Sequence, residues 1–205
     1  MKTQTNFYTI LVTMVIMLTA STSLFSQMNV DEDLRVKEWI DGQTITVFDH
    51  HVTRVFGETY DRSERRNLHI PITNIGFKDL DQLIEETRAE AKVDGWDEGK
   101  LKEEIENLKE TAPGGRLYVY VERRENDRAN GKFFFTIIRD KDEQEFFKYS
   151  FETQAPEFGD FGFWGNLFTV NIPNPLALPF FVYVNDRGSG HLSDFKFEVL
   201  PLKQR

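Results

Sequence analysis

The sequence predicts a mainly β fold, an antiparallel β-sandwich of about eight or nine strands that carries a two-helix insertion. Three observations predict it. Between Arg116 and Thr153 the runs RLYVYVERR, KFFFTIIRD and EFFKYSFET are rich in aromatic and β-branched side chains, which fit a pleated surface, and the turn-prone segments 125–131 and 141–144 separate them. Residues 78–111 break that pattern with apolar positions at helical spacing. After Gly115 the pattern is β to the end. The three runs are expected to form one antiparallel meander at the centre of the fold.

Length and composition set the frame. The chain has 205 residues, 40% of them hydrophobic, with 19 Phe, so a Phe-dominated core is expected in one folded domain at 44–205, behind a signal peptide at 1–26 and an N-terminal lead-in at 27–43. A formal net charge of -9 argues against nucleic acid or an anionic membrane surface as partner and points to a neutral or cationic one. There is no cysteine, hence no disulfide framework and no lipobox.

Lys2, the apolar run Ile10–Ala20 and the small residues Ser21-Thr22-Ser23 have the order of a secretory signal, and that run is shorter than the roughly 20 residues a membrane-spanning helix needs. The small residues allow cleavage after Ser23 or after Ser26; the segment resembles Bacteroidota-type signal peptides, which implies the second, with Gln27 first. A periplasmic, cell-surface or secreted location follows.

Taken in order, residues 28–41 fit either a short helix or an extended lead-in. Thr44–Phe48 and Val52–Phe56 read as strand, with a change of phase at Asp49-His50-His51 that predicts a β-bulge or bend. Residues 58–67 are a charged loop, and 68–75 a strand that Pro71 assigns to an edge or an irregular position. Leu80, Leu83, Ile84, Thr87 and Ala91 line one helical face, with Asp79 as N-cap, Gln82 three residues on and Gly95 as the break. Leu101, Ile105 and Leu108 line a second helix that Pro113-Gly114-Gly115 ends. Strands are then expected at 167–172, 180–184 and 194–200, the last two joined by the turn 185–190.

Along KFFFTIIRD both strand faces are apolar, which predicts cover on both sides: a second sheet on one face and the helical pair on the other. If the helices lie elsewhere, the second face becomes the better binding surface. The order of strands, two helices and a further β run also resembles a helix-grip fold over about two thirds of the chain, which implies the alternative α+β architecture, a curved sheet wrapped around a helix.

No motif specifies a chemistry, and no cofactor is expected. Asp49, His50, His51 and His69 are the candidate metal set, because imidazole and carboxylate on paired strands can converge on Zn or Cu; adjacent residues of a regular strand face opposite ways, so His50 and His51 both ligate only if a bulge redirects one. Gly188-Ser189-Gly190-His191 lacks the nucleophile elbow and reads as a glycine-rich hairpin, and Asp160-Phe161-Gly162 matches a kinase tripeptide by chance. Asp140, Asp142, Glu143 and Glu145 crowd one turn without EF-hand spacing and read as solvated. The segment 158–166 is different: Phe158, Phe161, Phe163 and Trp164 alternate with glycines, a composition suited to displaying rings from a loop or to closing one end of the sandwich. The reading that follows is an exported, non-enzymatic domain that binds a glycan or another envelope protein through these rings. The alternative is a small metal-dependent hydrolase or oxidase at the histidine set, and a third reading is a structural subunit; the oligomeric state is open.

Overall fold

Burial alternates residue by residue along Phe134–Arg139 and Phe180–Asp186, the signature of strands with one face turned to the core. The computed structural model describes residues 34, 39–57, 72–159, 162–187 and 193–202. It divides into two units, Met1–Val36 and Lys37–Arg205, and the second unit holds the architecture described below. The segment 1–26 expected to be a signal peptide, most of the expected lead-in 27–43, residues 58–67 and Pro71 lie outside the described residues.

In chain order the elements are β1 (Thr44–Val47), β2 (His50–Phe56), β3 (Ile72–Lys78), α1 (Leu80–Asp94), α2 (Glu98–Thr111), β4 (Arg116–Arg123), β5 (Phe134–Arg139), β6 (Glu145–Ser150), β7 (Glu157–Phe158), β8 (Trp164–Asn171), β9 (Phe180–Asp186) and β10 (Ser193–Pro201). They form a six-stranded sheet in the order β1-β2-β10-β9-β5-β6 and a four-stranded sheet in the order β3-β4-β8-β7, antiparallel throughout. Phe77 packs edge-on against Phe180 at 5.0 Å, and Phe134 meets Phe168 at 5.8 Å, so the two sheets share one aromatic core. The fold is thus mainly β and sandwich-like with a two-helix insertion, as expected, and not a helix-grip.

Only the second half of the meander, the β5–β6 hairpin, is formed. β4 pairs with β3 and β8, whereas β5 pairs with β6 and β9 in the other sheet. The segment between them makes two short 3-10 turns, at Asn126–Ala129 and Gly131–Phe133, with Ala129 fully buried, and so carries the chain across from one sheet to the other. A local turn signal says that the chain reverses but not which sheet it rejoins. Of the bulge or bend expected at 49–51 the structure has a bend, sharp enough to reverse the chain: Phe48 and Asp49, at φ 49° and 57°, form a tight turn between β1 and β2. The phase change in the sequence marks two antiparallel strands, and the irregularity of this region sits instead between Lys196 and Phe197, where β10 pairs β2.

Both helices start as their sequences dictate. The Asp79 carboxylate accepts from Gln82 N at 2.9 Å while the Gln82 side chain accepts from Asp79 N at 3.0 Å, a complete capping box, and Asp97 caps α2 in the same way through Lys100 N at 2.8 Å. Gly95 ends α1 at φ 66°. The insertion fills the turn of a hairpin, because Lys78 and Arg116, which flank it, are partners across the β3–β4 ladder. Its helices pack chiefly on each other. α1 buries Leu83 and Ala91, and α2 has no buried residue, so the pair does not cover a sheet face as expected. It meets the sandwich through Gln82, which donates to the Phe48 carbonyl at 2.7 Å, and through Glu86, which pairs with the buried Lys78.

Candidate functional site

The aromatic segment is the turn of the β7–β8 hairpin rather than a wholly irregular loop. Phe158 pairs with Trp164, Gly159 N donates to the Phe163 carbonyl at 2.8 Å, and Gly162 supplies the positive φ, 80°, of the return. The Phe158 and Trp164 rings meet edge to face at 4.9 Å. Phe158 stays 63% exposed and Trp164 is half-buried, whereas Phe163 is buried at 4% with the Arg124 guanidinium 5.9 Å from its ring. Phe163 therefore closes the interior, and Phe161 and Asp160 lie outside the described residues.

A buried charge cluster fixes this end of the sandwich. Arg123, the ladder partner of Trp164, donates through Nε and Nη2 to Asp186 Oδ2 at 3.0 and 2.8 Å, through Nη1 to the Ile72 carbonyl at 2.6 Å and through Nη2 to Thr73 Oγ1 at 2.9 Å. One guanidinium thus ties β4 and β3 of one sheet to β9 of the other, and its flat face lies 5.3 Å from the Phe134 ring.

The outer face of the six-stranded sheet holds a feature that strand patterning alone does not announce. It carries half-exposed Phe135, Ile137, Phe181 and Tyr183 among polar residues such as Asn185 and Glu198, and cations lie over the rings: Lys148 and Arg187 over Phe135 at 4.9 and 4.3 Å, Lys196 over Phe181 at 4.2 Å and over Tyr183 at 5.3 Å, and Arg139 over Tyr183 at 5.3 Å. This is the second apolar face that the sequence assigns to helical cover. The acidic turn leads into it: Asp140 Oδ1 accepts from Asp142 N and Gln144 N, both at 2.9 Å, while Glu143, at φ 61°, pairs with Lys196 and accepts from Tyr183 Oη at 2.8 Å. The Lys196 hydrogen bond holds the Glu143 carboxyl below the usual carboxylate range, against a smaller upward push from burial. For Lys196 burial alone pushes the ammonium pKa down, but the hydrogen bonds with Glu143 and Tyr183 and their charges together outweigh it and raise the pKa. The carboxylates of this turn serve its backbone and the neighbouring strand rather than converging on a common point.

The histidines part company. His50 is buried at 5% exposure, its ring edge-on to Phe77 at 5.0 Å, its Nδ1 3.1 Å from the Phe48 carbonyl and its Nε2 3.8 Å from Asp79. His51 is half-exposed on the other face of β2 with Nδ1 3.1 Å from Thr46 Oγ1. Asp49 is exposed in the turn, His69 and His191 lie outside the described residues, and among the described residues no three His, Cys, Asp or Glu side chains are grouped to hold a metal ion. Among the described residues no helix is long and apolar enough to cross a membrane. Comparison with known protein families, with curated proteins and with solved structures finds no match.

Proposed function

We propose that this chain is an exported, non-enzymatic binding domain that engages a glycan through the aromatic end of its sandwich, at Phe158 and Trp164. The observation that carries the reading is Phe158: a ring 63% exposed, which the core does not use, yet held in place by strand pairing and by the edge of Trp164 at 4.9 Å. A rigid ring with a free face is what stacks on the apolar face of a pyranose, since little side-chain freedom is lost on binding.

The test is affinity electrophoresis of the purified chain through gels containing soluble polysaccharides, comparing wild type with Phe158→Ala. The variant is expected to bind about tenfold more weakly, the loss of one stacking contact, with its thermal unfolding almost unchanged. Retardation that Phe158→Ala leaves unaltered overturns the reading. Loss of affinity for an envelope protein, with no effect on any sugar, would replace the glycan by a protein partner.

A further inference from the structure

We infer that the glycan bound at this end of the sandwich is an acidic polysaccharide, and that Lys148, Arg187 and Lys132 hold its carboxylates. The inference rests on the glycan reading above and specifies its ligand class. It starts from three cations gathered on two rings. Lys148 and Arg187 lie over Phe135 at 4.9 and 4.3 Å, Lys132 lies over Phe133 at 4.9 Å, and the Phe133 carbonyl accepts the Arg187 backbone N–H at 2.8 Å, which joins the two ring–cation groups in one patch. All three cations are exposed. Among the described residues none of the three forms an ion pair, whereas Lys78, Arg123 and Lys196 each do. Asp194, the acid that shares the sheet row of Phe135 and Asn185, accepts a hydrogen bond from Asn185.

A cation pinned over a ring has given up part of its rotamer freedom before any ligand arrives, so an anion that meets it costs less ordering. The Arg187 fork matches a carboxylate with two parallel hydrogen bonds, and Lys148 and Lys132 add point charges beside it. The same arrangement explains why these rings are not themselves stacking platforms: cations already lie over them. Sugar faces are left to Phe158, and sugar charges to the patch.

The patch lies at the same end as Phe158. Trp164, which pairs with Phe158, is also the ladder partner of Arg123, and Arg123 is bonded to Asp186, the residue before Arg187. The acidic insertion is at the other end of β4, beyond Arg116. Eight residues of strand separate them, roughly 23 Å at about 3.3 Å per residue, well past the Debye length of about 8 Å in physiological salt. The net charge of -9 is no obstacle, because residues 79–115 contain 12 Asp and Glu against 5 Lys and Arg, which leaves 22 against 20 for the rest of the chain. The net charge is concentrated in the insertion, so it does not decide the sign of a partner at the opposite end of the strands.

The test uses one backbone in two charge states: polygalacturonate and its fully methyl-esterified, uncharged form. Wild type is expected to bind the acid at least about tenfold more tightly than the ester at low salt, with the difference shrinking at 0.5 M salt, as exposed charge contacts do. Lys148→Gln/Arg187→Gln is expected to erase the preference while its thermal unfolding stays close to wild type. Phe158→Ala is expected to weaken acid and ester alike and keep their ratio. Equal binding of both forms by wild type, or a preference that survives in the double variant, overturns the inference while the glycan reading stands. Binding of neither form overturns both for this backbone, and retention of dextran sulfate with no binding of polygalacturonate overturns the assignment to carboxylates.

Discussion

Arg123 is the residue on which the junction of the two sheets depends. It is 6% exposed, and its charge is matched by Asp186 at 3%. Taking such a pair out of water is costly, and attraction at close range with satisfied hydrogen bonds offsets that cost, so the pair specifies the alignment of the sheets more than it adds stability. Removing one partner strands the other. Arg123→Met is expected to lower unfolding stability by about 3–5 kcal/mol, read from the urea midpoint, and Arg123→Met/Asp186→Leu to recover much of that loss. If the double variant is as unstable as the single one, the cost lies in packing on Phe134 rather than in a stranded carboxylate. The sequence shows Arg123 only as the charged end of a strand, because its partner is 63 positions away in the other sheet. Trp39 is similar: nothing in its weakly periodic surroundings marks it as core, yet it is 2% exposed, packs edge-on to Phe197 at 5.8 Å, and its carbonyl accepts from Arg54 at 2.6 Å.

Local signals decided the elements well and their partners poorly. Helix starts depend on neighbours three residues away, so Asp79 with Gln82 does in the structure what its spacing implies, and Gly95 ends the helix as expected. Asp79→Ala is expected to cost about 1 kcal/mol in thermal unfolding, and Asp97→Ala less, because α2 has no fully buried residue and its first turn can fray without opening the sandwich. Equal losses would mean that α2 is coupled to the sheets after all. Strand pairing is a long-range property, which is why β4 and β5 were expected side by side and lie in different sheets. The aromatic end was legible as a composition of rings and glycines. What composition does not resolve is direction: Phe163 and Trp164 are neighbours in extended chain, so their side chains diverge, and only Phe158 keeps a mostly exposed ring among those described. The cation-capped face was half legible, since its rings were seen as a second apolar surface but the lysines and arginines that lie over them come from other strands.

At the scale of the whole molecule, pH acts through the clasp between Glu143 and Lys196. A carboxyl with a lower pKa when folded than when unfolded holds fewer protons in the native state, so acid favours unfolding. The Glu143 contribution is present above its ordinary 4.5 and is lost as pH falls through the lower folded value. A raised ammonium works in the opposite sense: the Lys196 contribution is full below its ordinary 10.5 and is lost as pH rises through the higher folded value. Wild type is therefore expected to exceed Glu143→Gln in stability across the neutral range, and the two urea-unfolding curves to converge at both extremes. A gap that persists in strong acid would show that the clasp acts through packing rather than charge.

The helical insertion has a physical consequence that does not depend on any contact it makes. With 12 carboxylates against 5 cations confined to residues 79–115, and with Lys132, Lys148 and Arg187, which form no ion pair among the described residues, at the far end of the strands, the sandwich unit is an electric dipole. Near a charged layer such a body feels a torque as well as a net force. At low ionic strength, where the field of a charged layer reaches well beyond contact, a negatively charged layer repels the insertion and leaves the opposite end of the strands facing it, so the helices act as a rudder for encounters in which they take no part.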